Sequence, residues 1–200
     1  MAIRQCIGWF GLVCVITACS VLPRPEPVTS DQYLLEVSPG PVPDPAADAQ
    51  VLLVTLPRAH GGYDTARMAY MQQAHGLRYY TRSRWADTPA RMLAPLVADA
   101  MQATGRFQAL YKTPGSVAAD MRLDMELIRF HQDFTRQPAR MHVTLRAQLI
   151  DLQENRVVAT RQFDITELAD TEDAYGGVVA ANRAVTRLLD ELANFCLTYQ

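Results

Sequence analysis

The chain has 200 residues, of which 49% are hydrophobic and 20% are charged, and its formal net charge at pH 7 is −2. This near-neutral balance excludes the strongly basic surface by which proteins usually hold the phosphate backbone of nucleic acids. The length fits one ordinary domain and is sufficient to bury a hydrophobic core.

The chain begins with a short apolar run behind a single positive charge. Arg4 precedes residues 7–18, which carry no charge. A run of this length is too short to cross the roughly 30 Å hydrocarbon core of a bilayer as a helix. Its layout is typical of a cleaved secretory signal peptide, and an uncleaved N-terminal anchor is the alternative.

The end of this run resembles the lipobox of bacterial lipoprotein signals. The pattern is filled here by Ile16, Thr17, Ala18 and Cys19. The resemblance implies cleavage before Cys19, a lipid on its thiol and an acylated amino terminus, and several acyl chains hold a protein on a membrane durably. Ser20 stands where inner-membrane retention usually has Asp, so we expect the periplasmic face of the outer membrane.

A proline-rich spacer follows the cysteine. Pro23, Pro25 and Pro27 fall within it, and proline at this density favours an extended, semi-rigid chain. We therefore predict a signal peptide at 1–18, a lipidated cysteine and tether at 19–30, and a single domain at 31–200.

Only one of the four cysteines is predicted to remain as a free thiol in the mature protein. Cys6 and Cys14 leave with the signal peptide, Cys19 carries lipid, and Cys196 remains. One thiol cannot form an internal disulfide, and Cys196 stands on the apolar stripe of a predicted helix. We expect it to be a buried small hydrophobe rather than an intermolecular link or a reactive thiol.

The first part of the predicted domain consists of short strands and loops. We predict strands at 33–37, 51–55, 66–72 and 77–81. The run at 51–55 is apolar on both faces, which predicts a central strand covered on both sides. Gly76 closes the short gap between the last two strands and predicts a hairpin.

The first helix is predicted to follow Trp85. Asp87 or Thr88 can cap it, Pro89 suits its first turn, and Gly105 can end it. Pro95 lies inside the apolar repeat and would cost an intrahelical hydrogen bond, so we expect either a kink or a late start at Pro95. A strand at 107–111 and a turn at 114–115 follow.

Strict alternation of apolar and polar residues marks the next part of the chain. It predicts antiparallel strands with one buried and one polar face over 121–127, 141–149 and 156–166. The apolar phase slips at 127–128 and at 149–150, which indicates a bulge or a region covered on both faces.

A helix over 172–197 is predicted to close the domain. Asp170 or Thr171 would open it, and Gly176 with Gly177 would loosen its first turn. Two helices and these strands predict an α+β fold, a two-layer domain in which a mixed, mainly antiparallel sheet carries both main helices on one face.

The sequence contains no catalytic or metal-binding motif. His60, His75, His131 and His142 stand singly, without the i,i+3 or i,i+4 spacing of helix-borne zinc ligands, so no metal and no cofactor is predicted. His131 with Asp133 could form a base oriented by a carboxylate. Its place before a predicted turn at 136–138 favours solvated residues instead, and we predict a non-enzymatic protein, with an envelope hydrolase as the least favoured alternative.

Aromatic residues and arginines concentrate between residues 62 and 96. They are Tyr63, Tyr70, Tyr79, Tyr80, Trp85, Arg67, Arg78, Arg82, Arg84 and Arg91. Tyr, Trp and Arg are enriched where protein partners bind. We assign five of them to a partner-binding set: Tyr70, Tyr79, Arg82, Arg84 and Trp85. The alternative is that the aromatic residues fill a core and the arginines face solvent.

Several segments together resemble the ABC-type transport auxiliary lipoprotein family. The resemblance rests on the lipobox, the Tyr-Leu-Leu segment from Tyr33, the aliphatic strand at 51–55, the Arg-Tyr-Tyr strand from Arg78 that leads to Trp85, and the closing Phe-Asp-Ile strand from Phe163 with its helix. It implies the two-layer fold described above and no defined active site.

The resemblance also implies partners. Members of this family work beside an ABC transporter and an MCE-domain periplasmic protein that move lipids or other hydrophobic molecules between two membranes. The membrane, through the lipid anchor on Cys19, and the MCE-domain protein are the expected partners; nucleic acid is not expected, and a homo-oligomer is left open. A domain that itself carries lipid between its sheet and helices is the alternative function.

Overall fold

The computed structural model describes residues 30–38, 40–111 and 118–199. Its elements in chain order are β1 (Asp31–Tyr33), β2 (Gln50–Val54), β3 (Arg58–Ala59), β4 (Arg67–Met71), β5 (Leu77–Trp85), α1 (Pro89–Ala103), β6 (Phe107–Leu110), β7 (Met121–Asp133), β8 (Arg140–Asp151), β9 (Arg156–Leu168) and α2 (Ala174–Thr198). Cys19, the tether and the turn predicted at 114–115 lie outside the described residues.

Strands β7, β8 and β9 form a long antiparallel meander. Leu123 pairs with Leu149, and Leu149 pairs with Ala159. Inward and outward residues alternate along β7 and β8 because one face of the sheet is covered by helices and the other is not. The predicted alternation is confirmed, and so are both phase slips, since the ladders shift register after Leu127 and after Leu149.

The sheet forks along the other edge of β7. Strand β2 pairs with its first part, β3 with its middle and β4 with its end, and all three run parallel to it. Strand β6 extends the sheet beyond β2, while β5 and then β1 extend it beyond β4. The mixed sheet and two helices give the predicted α+β class, with antiparallel pairing in the longest ladders.

Both helices pack on one face of the sheet and bury the core. Helix α1 lies on β2 and β6, and α2 lies on β8 and β9. The fully buried side chains include Leu52, Leu93, Leu123, Leu145 and Leu188, each at most 1% exposed. Removing such side chains from water is the main driving force for this arrangement.

Helix α1 begins where the sequence predicts. Thr88 caps it by accepting a hydrogen bond from the Arg91 amide at 3.4 Å, and Pro89 occupies the first turn. The helix continues through Pro95, so the predicted late start there is wrong. Gly105, at φ +70°, follows its end in the left-handed region that glycine tolerates.

Helix α2 begins later than predicted. Asp173 caps it, accepting a hydrogen bond from the Gly176 amide at 2.7 Å, so neither predicted cap is correct. Thr171 instead donates to the Asp173 carboxylate at 2.8 Å. A Cβ on Gly176 would lie 2.1 Å from the Thr171 carbonyl oxygen, and one on Gly177 would lie 2.4 Å from Gln132. These glycines therefore permit close packing.

Two further predictions are corrected near the N-terminus. Strand β1 ends at Tyr33, because the chain then leaves the sheet and lies across α2, where the Glu36 amide donates to Asn182 Oδ1 at 2.7 Å. In β2, Leu52 and Val54 are buried but Leu53 is only half-buried, so this central strand is covered on one face rather than two.

Candidate functional site

The predicted partner-binding set lies on the hairpin formed by β4 and β5. Tyr70 pairs with Arg78, and Arg67 pairs with Arg84, with an irregularity in the ladder between them. Strand β1 covers the outer edge of β5 along its last three residues, from Ser83 to Trp85. Within the described chain, residues 77–82 of β5 thus have no strand on that edge, which leaves backbone donors and acceptors free to pair.

Trp85 does not belong to this surface. Its side chain is 2% exposed, and its ring packs edge-on against Phe130 with ring centroids 5.5 Å apart. For this residue the alternative prediction, that the aromatic residues fill the core, describes the structure. Trp85 stabilises the hairpin on the sheet rather than presenting a contact to a partner.

Tyr70 and Tyr79 are half-buried and held by defined contacts. The Tyr70 ring lies 4.7 Å from that of Tyr80 and 6.1 Å from that of Phe134. The Tyr79 hydroxyl donates to the Gly62 carbonyl oxygen at 2.9 Å, and the Arg67 guanidinium stacks 4.0 Å above its ring. Both rings are therefore fixed in place, with part of each accessible from solvent.

The arginines of the hairpin are exposed and lack acidic partners. In residues 30–38, 40–111 and 118–199, no carboxylate forms an ion pair with Arg67, Arg82 or Arg84. Arg67 and Arg84 even stand directly opposite each other, an arrangement of like charges that destabilises a sheet. Their guanidinium groups remain available to anions outside the described chain.

A second polar cluster lies on the open face of the sheet, opposite the helices. The Tyr63 hydroxyl and His131 Nδ1 are 2.9 Å apart, and the His131 and His142 ring centroids are 5.6 Å apart. His142 Nε2 lies 3.5 Å from Asp133, and His142 Nδ1 lies 3.1 Å from the Thr166 hydroxyl. A cavity of about 460 Å³ opens beside them.

This cluster corrects the prediction of a solvated turn. His131 is 6% exposed and belongs to β7, and Asp133 faces His142 across the strands instead of orienting His131. The consecutive strands β7 and β8 bring the two histidines together because they pair directly, with His131 opposite His142. The alternation of apolar and polar residues predicts both strands, but only their pairing register shows that the two histidines are neighbours.

Burial sets the protonation of the two histidines. It lowers the pKa of His131 to about 4, with the neighbouring His142 lowering it further and Asp133 opposing the shift. Burial also lowers the pKa of His142, again against Asp133. Both imidazoles are therefore neutral at pH 7 and can exchange hydrogen bonds. Among the described residues, no group of three His, Cys, Asp or Glu side chains could hold a metal ion.

Cys196 is buried, as predicted. Burial raises the pKa of its thiol to about 12, so it stays protonated at neutral pH and is a poor nucleophile. Cys19, the predicted lipid-attachment site, lies outside the described residues.

Comparison with known families identifies the chain. Residues 33–193 match the model of the ABC-type transport auxiliary lipoprotein component. The chain belongs to this family. The match spans nearly all of the predicted domain and confirms the resemblance seen in the sequence. The roles of the hairpin surface and of the open face are therefore to be sought in the work of an auxiliary transport lipoprotein.

Solved structures share the fold of this auxiliary lipoprotein. A Xanthomonas campestris protein is 25% identical, with a TM-score of 0.72 over 86% of this chain and 96% of that one. An uncharacterised protein is 13% identical, with a TM-score of 0.68 over 84% of this chain and 99% of that one. A hypothetical protein from Chlamydia trachomatis is 9% identical, with a TM-score of 0.52 over 76% of this chain and 98% of that one. These two likenesses show the fold alone. Among curated proteins there is no match. No helix in the described ranges is long and apolar enough to cross a bilayer.

Proposed function

We propose that this auxiliary lipoprotein is a non-enzymatic docking component of a transporter. Lipidated at Cys19, it stands on the periplasmic face of the outer membrane and holds an MCE-domain protein whose ABC transporter moves lipids or other hydrophobic molecules between the membranes. The family and the lipobox support the anchor and the transport role. The single observation that carries the docking role is the exposed edge of β5 with arginines that lack acidic partners.

The hairpin surface has the chemistry that protein recognition uses. Residues 77–82 of β5 offer free backbone groups to an added strand or loop. Arg82 supplies an exposed charge beside them, and the fixed rings of Tyr70 and Tyr79 supply apolar area with little rotamer entropy left to lose. An extended segment of the MCE-domain protein that carries acidic side chains fits this edge.

The open-face cluster has a structural role in the domain. Neutral His131 and His142 are tied to Tyr63, Thr166 and Asp133. The hydrogen bonds join the strands β7, β8 and β9 to the loop before β4, which is a structural role.

Carriage of lipid between the sheet and the helices receives no support from the geometry. The cavity found in that layer, beside Trp85 and Phe130, has a volume of about 10 Å³. This volume is about that of one water molecule and does not admit an acyl chain. Trp85, Phe130 and Met141, which line it, are each 2% exposed, so this part of the layer is a packed core.

Co-purification tests the docking role. The full-length lipidated protein, extracted in detergent, should retain the MCE-domain protein encoded beside it, and a Cys19→Ala variant should lose incorporation of a labelled fatty acid. Reproducible failure of the two folded proteins to associate would overturn the docking role. Persistent labelling of Cys19→Ala would overturn the assigned attachment site.

A further inference from the structure

A groove of about 410 Å³ lies where the described chain begins, at the outer end of the hairpin. Besides Ala66 and Tyr80, it is lined by the hydroxyl-bearing residues Ser30, Thr65, Thr81 and Ser83 and by Arg67 and Arg84. No acidic residue lines it, and Asp31, opposite Ser83 in the β1–β5 ladder, is not part of the lining. The groove therefore collects positive charge and hydrogen-bond donors.

The two arginines are placed against their mutual repulsion. Arg67 and Arg84 are directly opposed on neighbouring strands. Like charges in that position cost stability unless an anion lies between or beside them. In the part of the chain that the structure describes, neither guanidinium has a carboxylate partner, and Arg67 is held by its stacking on Tyr79 at 4.0 Å. The pair is thus preorganised for an anion that comes from elsewhere.

The lining matches a phosphate group. Guanidinium groups bind phosphate through paired N–H donors, and hydroxyl groups add further donors to the same oxygens. The Thr65 hydroxyl oxygen accepts from the Arg67 amide at 3.2 Å, which leaves its own hydrogen free to point into the groove. A bare carboxylate would use fewer of these donors than the three or more oxygens of a phosphate ester.

The position of the groove relative to the tether selects the source of that phosphate. Ser30 both lines the groove and directly follows the proline-rich spacer. Ten residues separate Cys19 from Ser30, so even a fully extended spacer places the groove within about 40 Å of the lipid anchor. The length of the spacer therefore limits how far the groove can lie from the membrane that holds the anchor.

We infer that this groove binds the phosphate of anionic lipid headgroups in the membrane that holds the anchor, and so seats the outer end of the hairpin on that membrane. The inference rests on lipidation at Cys19 and goes beyond the docking role, because it does not require the MCE-domain protein. It assigns Arg84 to the membrane and leaves Arg82, which does not line the groove, to the partner.

Energy transfer between the protein and its own membrane tests the inference. The full-length lipidated protein is reconstituted into vesicles of phosphatidylcholine, or of equal parts phosphatidylcholine and phosphatidylglycerol, that contain an acceptor-labelled lipid. A donor dye is placed on Ala86→Cys, an exposed position next to the groove strand. Cys196 is buried with a raised thiol pKa and does not take the dye under native conditions.

Transfer should rise when phosphatidylglycerol is present and fall again with added salt. Replacing one groove arginine should lower the ratio of membrane-docked to undocked hairpin about fivefold. The double variant Arg67→Gln, Arg84→Gln should therefore abolish the rise in energy transfer. Arg82→Gln also removes one positive charge from β5, and this variant should keep the rise in energy transfer. Circular dichroism and the urea midpoint verify that all three variants are folded.

Four results would overturn the inference. The first is no rise with phosphatidylglycerol, and the second is an equal loss in Arg82→Gln, which would indicate diffuse attraction. The third is calorimetric binding of inorganic phosphate, lost in the double variant, without any rise in transfer; the source would then be free phosphate. Loss of the MCE-domain protein by the double variant without a membrane effect would assign the groove to acidic side chains of that partner and would also overturn it.

Discussion

The meander β7–β9 and the hairpin β4–β5 belong to one sheet but treat their charges in opposite ways. On the meander, four of six arginines form ion pairs; Arg122 pairs with Asp124 and Arg146 with Glu126, both at 2.9 Å. Arg129 and Arg140 are the two described meander arginines without an ion pair. On the hairpin, none of the exposed arginines has such a partner in the described residues. Most meander arginines are thus neutralised within the domain, whereas no exposed arginine of the hairpin is, and this concentration of unneutralised charge favours a contact between the hairpin and another molecule.

The same contrast separates neighbouring residues of β5. Trp85 is buried against Phe130 and belongs to the core, while Arg84 is exposed and opposed by Arg67. A stability measurement should therefore distinguish the two residues sharply, although they are adjacent in sequence.

Trp85→Ala should have the largest effect on stability. Removal of a buried aromatic ring leaves a cavity and costs about 3–5 kcal/mol of the free energy of unfolding. Urea unfolding followed by far-UV circular dichroism measures this loss. A change of less than about 1 kcal/mol would show that Trp85 is not part of the core.

Acidification should weaken the meander through His131. Its pKa in the folded protein is about 4, below the ordinary value of 6.5, so the unfolded chain binds a proton that the folded chain excludes. Stability is then complete above about pH 6.5 and falls as the pH drops toward 4, by about 2 kcal/mol at pH 5.

Urea midpoints at pH 7 and pH 5 measure this effect. His131→Gln should reduce the dependence, because the replacement does not titrate, while His142, whose pKa burial also lowers, keeps part of it. His75→Asn alters an exposed histidine whose φ of 64° asparagine tolerates, and it should leave the dependence unchanged. Equal slopes in wild type and His131→Gln would contradict the assignment.

Glu126→Gln should have a smaller effect on the same face. Its carboxylate accepts a hydrogen bond from Arg146 Nη1 at 2.9 Å and lies 3.2 Å from His60 Nε2, and it is partly exposed. The expected loss is about 1 kcal/mol. A double-mutant cycle with Arg146→Gln should give a coupling energy of similar size, and a coupling of zero would show that the pair does not stabilise the meander.

Arg84→Gln should have the smallest effect on stability. The substitution removes one of two opposed like charges, so the unfolding free energy should stay within about 0.5 kcal/mol of wild type or rise slightly. A loss above about 1 kcal/mol, measured by urea unfolding, would mean that Arg84 has a structural partner and that the contrast with the meander is false.

The meander could be predicted from sequence and the fork could not. Alternation fixes the strand faces locally, and a slip such as that at Leu127 is visible within a few residues. The meeting of β2, β3 and β4 along one edge of β7 depends on pairs as distant as Leu52 and Met121, which no local pattern contains. The stripe of α2 could be predicted, but its start was placed too early, because Thr171 donates to Asp173 and Asp173 is the residue that caps the helix.

The candidate surface was predicted in composition but not in arrangement. The sequence shows that arginines and tyrosines concentrate in one segment. The irregular ladder between β4 and β5 decides that Arg67 faces Arg84 and that Trp85 turns inward, and this irregularity has no signal in the residue pattern. The pairing of His131 with His142 likewise required the exact register between the neighbouring strands β7 and β8.

Binding of the MCE-domain protein to two charge-reversal variants tests the central claim, that the exposed hairpin edge serves recognition. Arg82→Glu lies on that edge, and Arg136→Glu makes the same change at an exposed position in the turn after β7. We predict that Arg82→Glu weakens binding at least tenfold with an unchanged urea midpoint, while Arg136→Glu binds as the wild type does. Equal affinity of the two variants and the wild type would contradict the account.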